Sequence, residues 1–498
     1  MRSHTKEPAI TGTTVGDCCL NHGGLDAEFD FLREQRIRSI HCIGVGGIGV
    51  SGLAAILKQR GYTVTGVDSQ HSARIHYLES LGVKMVSDSV AQVAETDCVI
   101  YSQQIKPGRA DRQLAKNRGI PLYSRGEFLA QIIGNSRSLV VAGSHGKSTT
   151  SGWAAFSLQE AGVSVNSYLG AVIYGRQTSI SITAPDAPWV LESDESDGSC
   201  FLLSPTCLVI TNIDTEHLRT YDGSIAVLQD RMVEWANAIG PSGLVILCQD
   251  DPGIQAILPR LKGRKYTYGF SETADFQLLA CDQHGADCEL RWRIPEGKEH
   301  TAKMRLLGRH NALNGLAAWI ASREFFQLDE SKLTAAWCEY PGVKRRMSMH
   351  GWLALDEGEA LIIEDYGHHP REIEATLDAL HSFWSDKRIV MLLQPPYRYS
   401  EMQDLFDEFV NVLKNVDQIC LLPICAGGET ENFGISSEKL AVAIERAGAP
   451  LPPIVYHDLK EAENGMCRIL QSGDVLLLQF VDFQGTRIFT KNDRFKRI

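Results

Sequence analysis

The segment Ala142-Gly143-Ser144-His145-Gly146-Lys147-Ser148-Thr149-Thr150 carries the most specific chemistry in the chain. It follows the apolar run Leu139-Val140-Val141 and opens a helical pattern from Ser148. In a loop of this kind the backbone amides and the lysine ammonium surround the β- and γ-phosphates of a triphosphate, while the next hydroxyl ligates Mg²⁺. The usual spacing places a glycine five positions before Gly146, but Val141 stands there. The loop is a shortened variant of the P-loop.

A second glycine loop, Gly44-Val45-Gly46-Gly47-Ile48-Gly49, lies between a predicted strand at Ile37–Ile43 and a predicted helix at Ser51–Arg60. Asp68 ends the strand that follows, Thr63–Val67. Glycines in this context let a pyrophosphate approach the amides of a helix N-terminus. Alone, the loop suggests an NAD-dependent oxidoreductase. Two phosphate loops in one chain argue instead for an enzyme that consumes a triphosphate and separately holds a second phosphorylated molecule.

Two further segments add charge near the P-loop. Glu192-Ser193-Asp194-Glu195-Ser196-Asp197 follows the apolar Trp189–Leu191, and Thr211-Asn212-Ile213-Asp214-Thr215-Glu216-His217 follows Cys207–Ile210. Clustered carboxylates repel one another unless cations sit among them. A carboxylate and an imidazole at the ends of neighbouring strands, beside the P-loop, would complete a divalent metal site.

The elements that must position these residues alternate strand and helix, which predicts an α/β fold with mainly parallel sheets. Further strands are expected at Val99–Tyr101, Leu122, Ser138–Ala142, Leu361–Glu364, Ile389–Leu393 and Val475–Gln479. Helices are expected at Glu127–Ile133, Asn311–Phe325 and Met402–Lys414. Breaks near Asn135 and Pro341 divide the chain into a polar arm (1–36) and three domains, 37–135, 136–340 and 341–498. A length of 498 residues suits three domains.

Composition narrows the function. Hydrophobic residues make up 44% and charged residues 22%, as in ordinary globular proteins, and the formal charge is −12. That balance disfavours nucleic acid as a partner. No apolar run approaches the ~18–20 residues of a membrane span, and Met1–Gly24 lacks the apolar core of a signal peptide. Thirteen cysteines without a CxxC pair are expected to be reduced thiols, which together with the polar N-terminus predicts a cytoplasmic protein.

The motifs, taken in order, resemble the Mur ligases, the ATP-dependent amide-forming enzymes of peptidoglycan synthesis. The match includes Gly44–Gly49, Ile105-Lys106-Pro107, Ser124-Arg125-Gly126-Glu127, the P-loop, Glu192–Asp197 and Thr211–His217. It continues through Gly308-Arg309-His310-Asn311-Ala312-Leu313-Asn314, Gly342–Arg346 and Asp365-Tyr366-Gly367-His368-His369-Pro370. The resemblance implies a Rossmann-like N-terminal domain holding the UDP group of a sugar nucleotide, a central P-loop ATPase domain, and a Rossmann-like C-terminal domain that brings the amino acid. By the same resemblance Gly44, Gly46, Gly47, Ile48, Gly49, Asp68 and Ser102 face the UDP-sugar. Gly143, Ser144, His145, Gly146, Lys147, Ser148, Thr149, His310, Asn311, Asn314, Arg346 and Asp365 bind ATP. Lys147, Glu192 and His217 are catalytic, His368 and Arg398 meet the amino acid, and Ser148, Glu192 and His217 hold Mg²⁺ or Mn²⁺.

Within the family the pattern is nearest the alanine-adding branch, whose substrates are UDP-N-acetylmuramate and L-alanine. No lysine lies between His217 and Gly240, which weakens assignment to the later ligases that use a carbamylated lysine. Ser196 disfavours the tripeptide-adding recycling ligase. A monomer or weak homodimer is expected. The departures are C-terminal: the family's Gln-Pro-His-Arg-Tyr-Thr-Arg is here Gln394-Pro395-Pro396-Tyr397-Arg398-Tyr399-Ser400-Glu401, and its Gly-Ala-Gly loop is replaced by Gln479–Gly485. Glu401 is expected to weaken Arg398 as an anchor for the amino acid's carboxylate, unless Arg388 or Lys344 neutralises it. These departures also motivate a second reading, a Mur-like protein that binds nucleotide without efficient catalysis. In the first domain, Ser87 and Asp88 stand where the family has a histidine.

Overall fold

The computed structural model describes residues 29–69, 72–184, 186–284, 287–395, 398–424, 429, 432–480, 489–490 and 494–497. Most of the polar arm, Pro396, Tyr397 and residues 481–485 of the replaced glycine loop lie outside them. Three sheets follow one another along the chain.

The first sheet contains β1 (Ser39–Ile43), β2 (Thr63–Val67), β3 (Lys84–Met85), β4 (Cys98–Tyr101) and β5 (Leu122–Ser124). Their order is β3-β2-β1-β4-β5 and every pair is parallel. Strand order reverses at β1, so a crevice opens at the carboxyl ends of β1 and β4. Gly44–Gly49 follows one strand and Ser102 the other. The helix after β1 runs Ile48–Gln59, starting inside the glycine loop rather than at Ser51. Val50 to Leu57 are all buried. A helix apolar on every side has no polar face to mark its start.

The second sheet has ten strands: β6 (Ser138–Ala142), β7 (Asn166–Tyr168), β8 (Ile180–Ser181), β9 (Trp189–Glu192), β10 (Cys207–Ile210), β11 (Leu244–Cys248), β12 (Lys265–Gly269), β13 (Phe276–His284), β14 (Asp287–Arg293) and β15 (Glu299–Met304). The order is β15-β14-β13-β12-β11-β10-β6-β9-β7-β8. Pairing is parallel from β13 to β7 and antiparallel at both ends. β6 is wholly buried between β10 and β9, as the apolar run Leu139–Ala142 suits a strand covered on both faces. The loops after β6, β9 and β10 therefore emerge side by side. The helices Lys147–Glu160 and Arg309–Glu324 pack closely at Gly315, where a Cβ would lie 2.7 Å from Trp337 and 2.9 Å from Trp153. Trp153 stacks on Trp337 at 4.6 Å and on Tyr340 at 4.8 Å.

The third sheet contains β16 (Ser348–Ala354), β17 (Glu359–Asp365), β18 (Ile389–Leu393), β19 (Gln418–Leu421), β20 (Ile454–Val455), β21 (Val475–Gln479) and β22 (Phe495–Arg497), ordered β20-β19-β18-β21-β17-β16-β22. Only β16 pairs antiparallel with its neighbours. Asp365 ends β17, Gln479 ends β21 beside it, and Gln394 follows β18, the next strand. The single helix expected at Met402–Lys414 is two, Tyr399–Asp404 and Phe406–Leu413, with the break at Leu405. Glu429 accepts bonds from the Ser400 amide (3.0 Å) and hydroxyl, which ties down the first helix. Among the described residues, no helix is long and apolar enough to cross a membrane.

Candidate active site

In the first domain, Gly44 adopts φ +77°, a left-handed turn that favours glycine. The Gly46 amide donates to Asp68 Oδ2 at 2.8 Å, and a Cβ on Gly46 would lie 2.9 Å from that carboxylate. Asp68 thus braces the loop. Ser102 packs its Cβ 3.1 Å from where a Cβ on Gly44 would stand. Gly44, Gly46, Gly47, Ile48, Gly49, Asp68 and Ser102 are gathered at one crevice. Asp88, in the place of the expected histidine, caps a short helix by accepting from the Ala91 amide at 2.9 Å.

In the central domain, Gly146 caps the helix Lys147–Glu160 at φ +80°. A Cβ there would lie 2.3 Å from Asn314 Oδ1, so the P-loop touches the helix Arg309–Glu324 directly. Lys147 Nζ donates to the Ser144 carbonyl (2.9 Å) and to Glu195 (3.1 Å), with Asp194 at 3.5 Å. Burial favours a neutral Lys147, but Glu195 and Asp194 outweigh it and hold the ammonium charged. Glu195 is fully buried; burial raises its carboxyl to about 7 against the pull of Lys147. Ser148 Oγ donates to Glu192 Oε1 at 2.8 Å, and the Gly170 amide donates to Glu192 Oε2 at 2.6 Å. Ser148 and Glu192 are thus a contacting oxygen pair.

His217 does not join that pair in any hydrogen bond. Its Nε2 faces Glu216 (3.3 Å) and its Nδ1 faces Glu401 (3.5 Å). Burial opposes its charge, yet these two carboxylates raise its pKa to about 10. A doubly protonated ring has no lone pair for a metal.

Between the central and third domains lies a cavity of about 290 Å³. His145, Gly146, Ser148, Thr149, His310, Asn311, Asn314, Arg346 and Asp365 all line it, although they come from four separated stretches of sequence. Asn311 and Asn314 sit one turn apart: Asn314 Nδ2 donates to Asn311 Oδ1 (3.3 Å), and Asn311 Nδ2 to the Leu307 carbonyl (2.7 Å). Asp365 accepts from the Met347 and Gly367 amides at 2.8 and 2.6 Å. Arg346 pairs with Glu372 at 3.1 Å. Burial, then Arg346, lowers His310 to about 4, so it lines the cavity as a neutral ring.

The third domain meets the P-loop through α/β loop ends rather than through its sheet. His145 reaches Asp214 (2.9 Å), and its other nitrogen is 3.5 Å from Glu372. Arg371 pairs with Asp214 at 3.1 Å, and His368 lies 3.5 Å from Glu216. His368 is therefore at the domain junction. Arg398 is exposed and stands at the N-cap position of the helix Tyr399–Asp404, with no capping bond from its side chain. Glu401, expected to disturb Arg398, has His217 as its counter-ion instead. Arg388 is occupied by Asp474 at 2.7 Å, and Lys344 is exposed.

Glu195, Glu216, Arg371 and Glu372 were not singled out as site residues by sequence. Glu195 and Glu216 lie inside the two acidic segments and were legible as charge. Arg371 and Glu372 open an ordinary amphipathic helix, Pro370–Phe383, whose sequence carries no such signal.

The Mur ligase family catalytic-domain model matches residues 39–137, the middle-domain model residues 141–322, and the glutamate ligase domain model residues 345–479. The chain is 36% identical over 451 residues to UDP-N-acetylmuramate–L-alanine ligase of Coxiella burnetii, covering 90% of this chain and 96% of that one. Its fold is similar to the UDP-N-acetylmuramate-alanine ligase of Thermotoga maritima (TM-score 0.75, 22% identity, 91% and 98% of the two chains). It is also similar to a murein peptide ligase of Psychrobacter arcticus (TM-score 0.66, 21% identity, 91% and 99%). The three matched domains, lying in the order of the three sheets along the chain, make the chain a member of the Mur ligase family.

Proposed function

We propose that this protein is the alanine-adding ligase of peptidoglycan precursor synthesis, joining L-alanine to the lactyl carboxylate of UDP-N-acetylmuramate with conversion of ATP to ADP and phosphate. The observation that carries the reading is the convergence of the P-loop, Asn311, Asn314, Arg346 and Asp365 on one interdomain cavity, in a chain 36% identical to alanine-adding ligases. Residues 37–135 would hold the UDP-sugar, 136–340 the ATP, and 341–498 the amino acid.

A carboxylate is a poor electrophile, so its oxygen must first accept the γ-phosphoryl group of ATP. The amine nitrogen then attacks the acyl phosphate carbon, and the C–O bond to phosphate breaks. Lys147, held charged and aimed by Ser144 and Glu195, suits the equatorial oxygens of the phosphoryl group in transit. Gly146 leaves no side chain between the P-loop and Asn314, which brings the asparagine to the nucleotide. Asp365, anchored by two amides, is suited to ribose hydroxyls.

The donor set of Ser148 and Glu192 is all oxygen, which fits Mg²⁺ or Mn²⁺. When bound, the ion supplies charge neutralisation at the phosphates. His217 would join this donor set on releasing the proton that Glu216 and Glu401 hold on it, as metal binding does to its ligands. Phosphate release from ATP, measured with UDP-N-acetylmuramate and a panel of amino acids, tests the proposal. Release that requires both the sugar nucleotide and L-alanine supports it; release with a tripeptide but not alanine, or none at all, overturns it.

A further inference from the structure

Arg371 belongs to the third domain but lines the interdomain cavity. It is the second residue of the helix Pro370–Phe383, and its side chain is 53% exposed. The guanidinium reaches across the domain junction to Asp214 Oδ1 at 3.1 Å. Asp214 is itself fastened to the P-loop twice: its amide donates to Ser144 Oγ (2.9 Å), and its Oδ2 faces His145 Nε2 at 2.9 Å. Arg371 therefore stands one carboxylate away from the loop that cradles phosphates.

Two features separate this contact from an ion pair that merely holds two domains together. Asp214 does not depend on it, because Oδ1 also accepts the Thr215 amide (2.7 Å) and Oδ2 has His145. An exposed arginine pair of this kind is weak, so a stronger anion displaces it readily. The second feature is the charge of the cavity. Four carboxylates line it, Asp250, Asp251, Asp365 and Glu372, against two arginines. Arg346, 27% exposed, is held by Glu372 at 3.1 Å, and Lys147, 14% exposed, by Glu195 at 3.1 Å. A triphosphate entering such a cavity needs a further cation, and Arg371 is the more exposed of the two lining arginines.

Resting on the reading of this cavity as the ATP site, we propose that Arg371 is a further catalytic residue, delivered by the third domain. On nucleotide binding its guanidinium leaves Asp214 and donates to the equatorial oxygens of the γ-phosphoryl group. Its planar fork of donors matches two phosphate oxygens at once. An arginine brought to the phosphates in this way stabilises the charge spread over those oxygens during transfer. No bond to Arg371 forms or breaks. The P–O bond to ADP breaks as the P–O bond to the substrate carboxylate forms, and the arginine keeps its proton throughout. Phosphoryl transfer thereby depends on the third domain being in place.

The test compares calorimetric affinities of the full-length protein for Mg²⁺·ADP and for a non-hydrolysable Mg²⁺·ATP analogue, with neither sugar nucleotide nor amino acid present. Arg371→Gln should weaken the ATP analogue at least about tenfold, the scale of one lost charge-assisted hydrogen bond, and ADP less than about twofold. Arg371→Lys, which keeps the charge without the fork, should bind the analogue more tightly than Arg371→Gln. With all substrates saturating, phosphate release by Arg371→Gln should fall about 10²–10³-fold. A merely structural role, clamping the third domain to Asp214, would weaken both nucleotides alike. Equal weakening of the two, an unchanged analogue affinity, or no difference between the glutamine and lysine variants would each overturn the proposal. A parent protein that binds neither nucleotide would overturn the ATP reading with it, whereas a parent that binds both and is matched by Arg371→Gln overturns this proposal alone.

Discussion

Glu401 is the residue at which charge was expected to disturb the amino-acid end, and its actual position gives a sharper test. Its carboxylate is 3.5 Å from His217 Nδ1, a gross attraction of about 5 kcal/mol at an effective dielectric constant of about 20. Both side chains retain about a quarter of their exposure (26% and 22%), and screening with side-chain entropy reduces the net to about 1–2 kcal/mol. At 1.36 kcal/mol per unit, Glu401→Gln should lower the His217 pKa from about 10 to about 9, with Glu216 holding the rest. Glu401→Arg reverses the sign and should lower it by about one unit more. The stability consequence follows from linkage. The folded-state pKa of His217 lies above its ordinary 6.5, so its contribution is complete below pH 6.5 and is lost as pH rises through about 10. In Glu401→Gln that loss should finish nearer pH 9. The assay is NMR titration of labelled histidines in Mg²⁺-free protein, with the His217 signal identified by its absence in His217→Gln. A His217 midpoint unchanged or raised in Glu401→Gln would refute the pairing.

Lys147→Ala should reduce ATP-dependent phosphate release about 10²–10³-fold, the scale of losing one preorganised charge at a transition state, while cooperative unfolding persists; turnover within a few-fold of the parent would remove Lys147 from the chemistry. Gly146→Ala forces an L-residue to φ +80° and a Cβ against Asn314, so a loss of about 1–2 kcal/mol from backbone strain alone should appear in denaturant unfolding, with weaker ATP binding. An unchanged midpoint and affinity would contradict the close approach. Glu192→Gln should raise the Mg²⁺ concentration for half-maximal turnover about 10–100-fold, and an unchanged Mg²⁺ dependence would return Ser148–Glu192 to a purely structural pair.

Local sequence determined the strands and the loops that follow them. Ser138–Ala142, Ile389–Leu393 and Val475–Gln479 are short, nearly continuous apolar runs, and burial on both faces of a parallel sheet admits little else. The glycine loops were legible because positive φ and close contact restrict residue choice at Gly44 and Gly146. The antiparallel strands β13 to β15 were missed, because their alternating polar residues, such as Gln283 and Glu289, read as loop until a neighbouring strand gives them a partner. The break at Leu405 was missed because Met402, Phe409 and Leu413 are all buried and keep an apparent helical period across it. What only the tertiary structure decided is which charges meet. Glu401 is separated from His217 by more than half the central domain and a domain boundary, and Glu372 from His145 likewise. Coulomb attraction depends on distance in space, which sequence separation does not encode, so Glu401 could be read only as a neighbour of Arg398 until the third domain was placed against the P-loop.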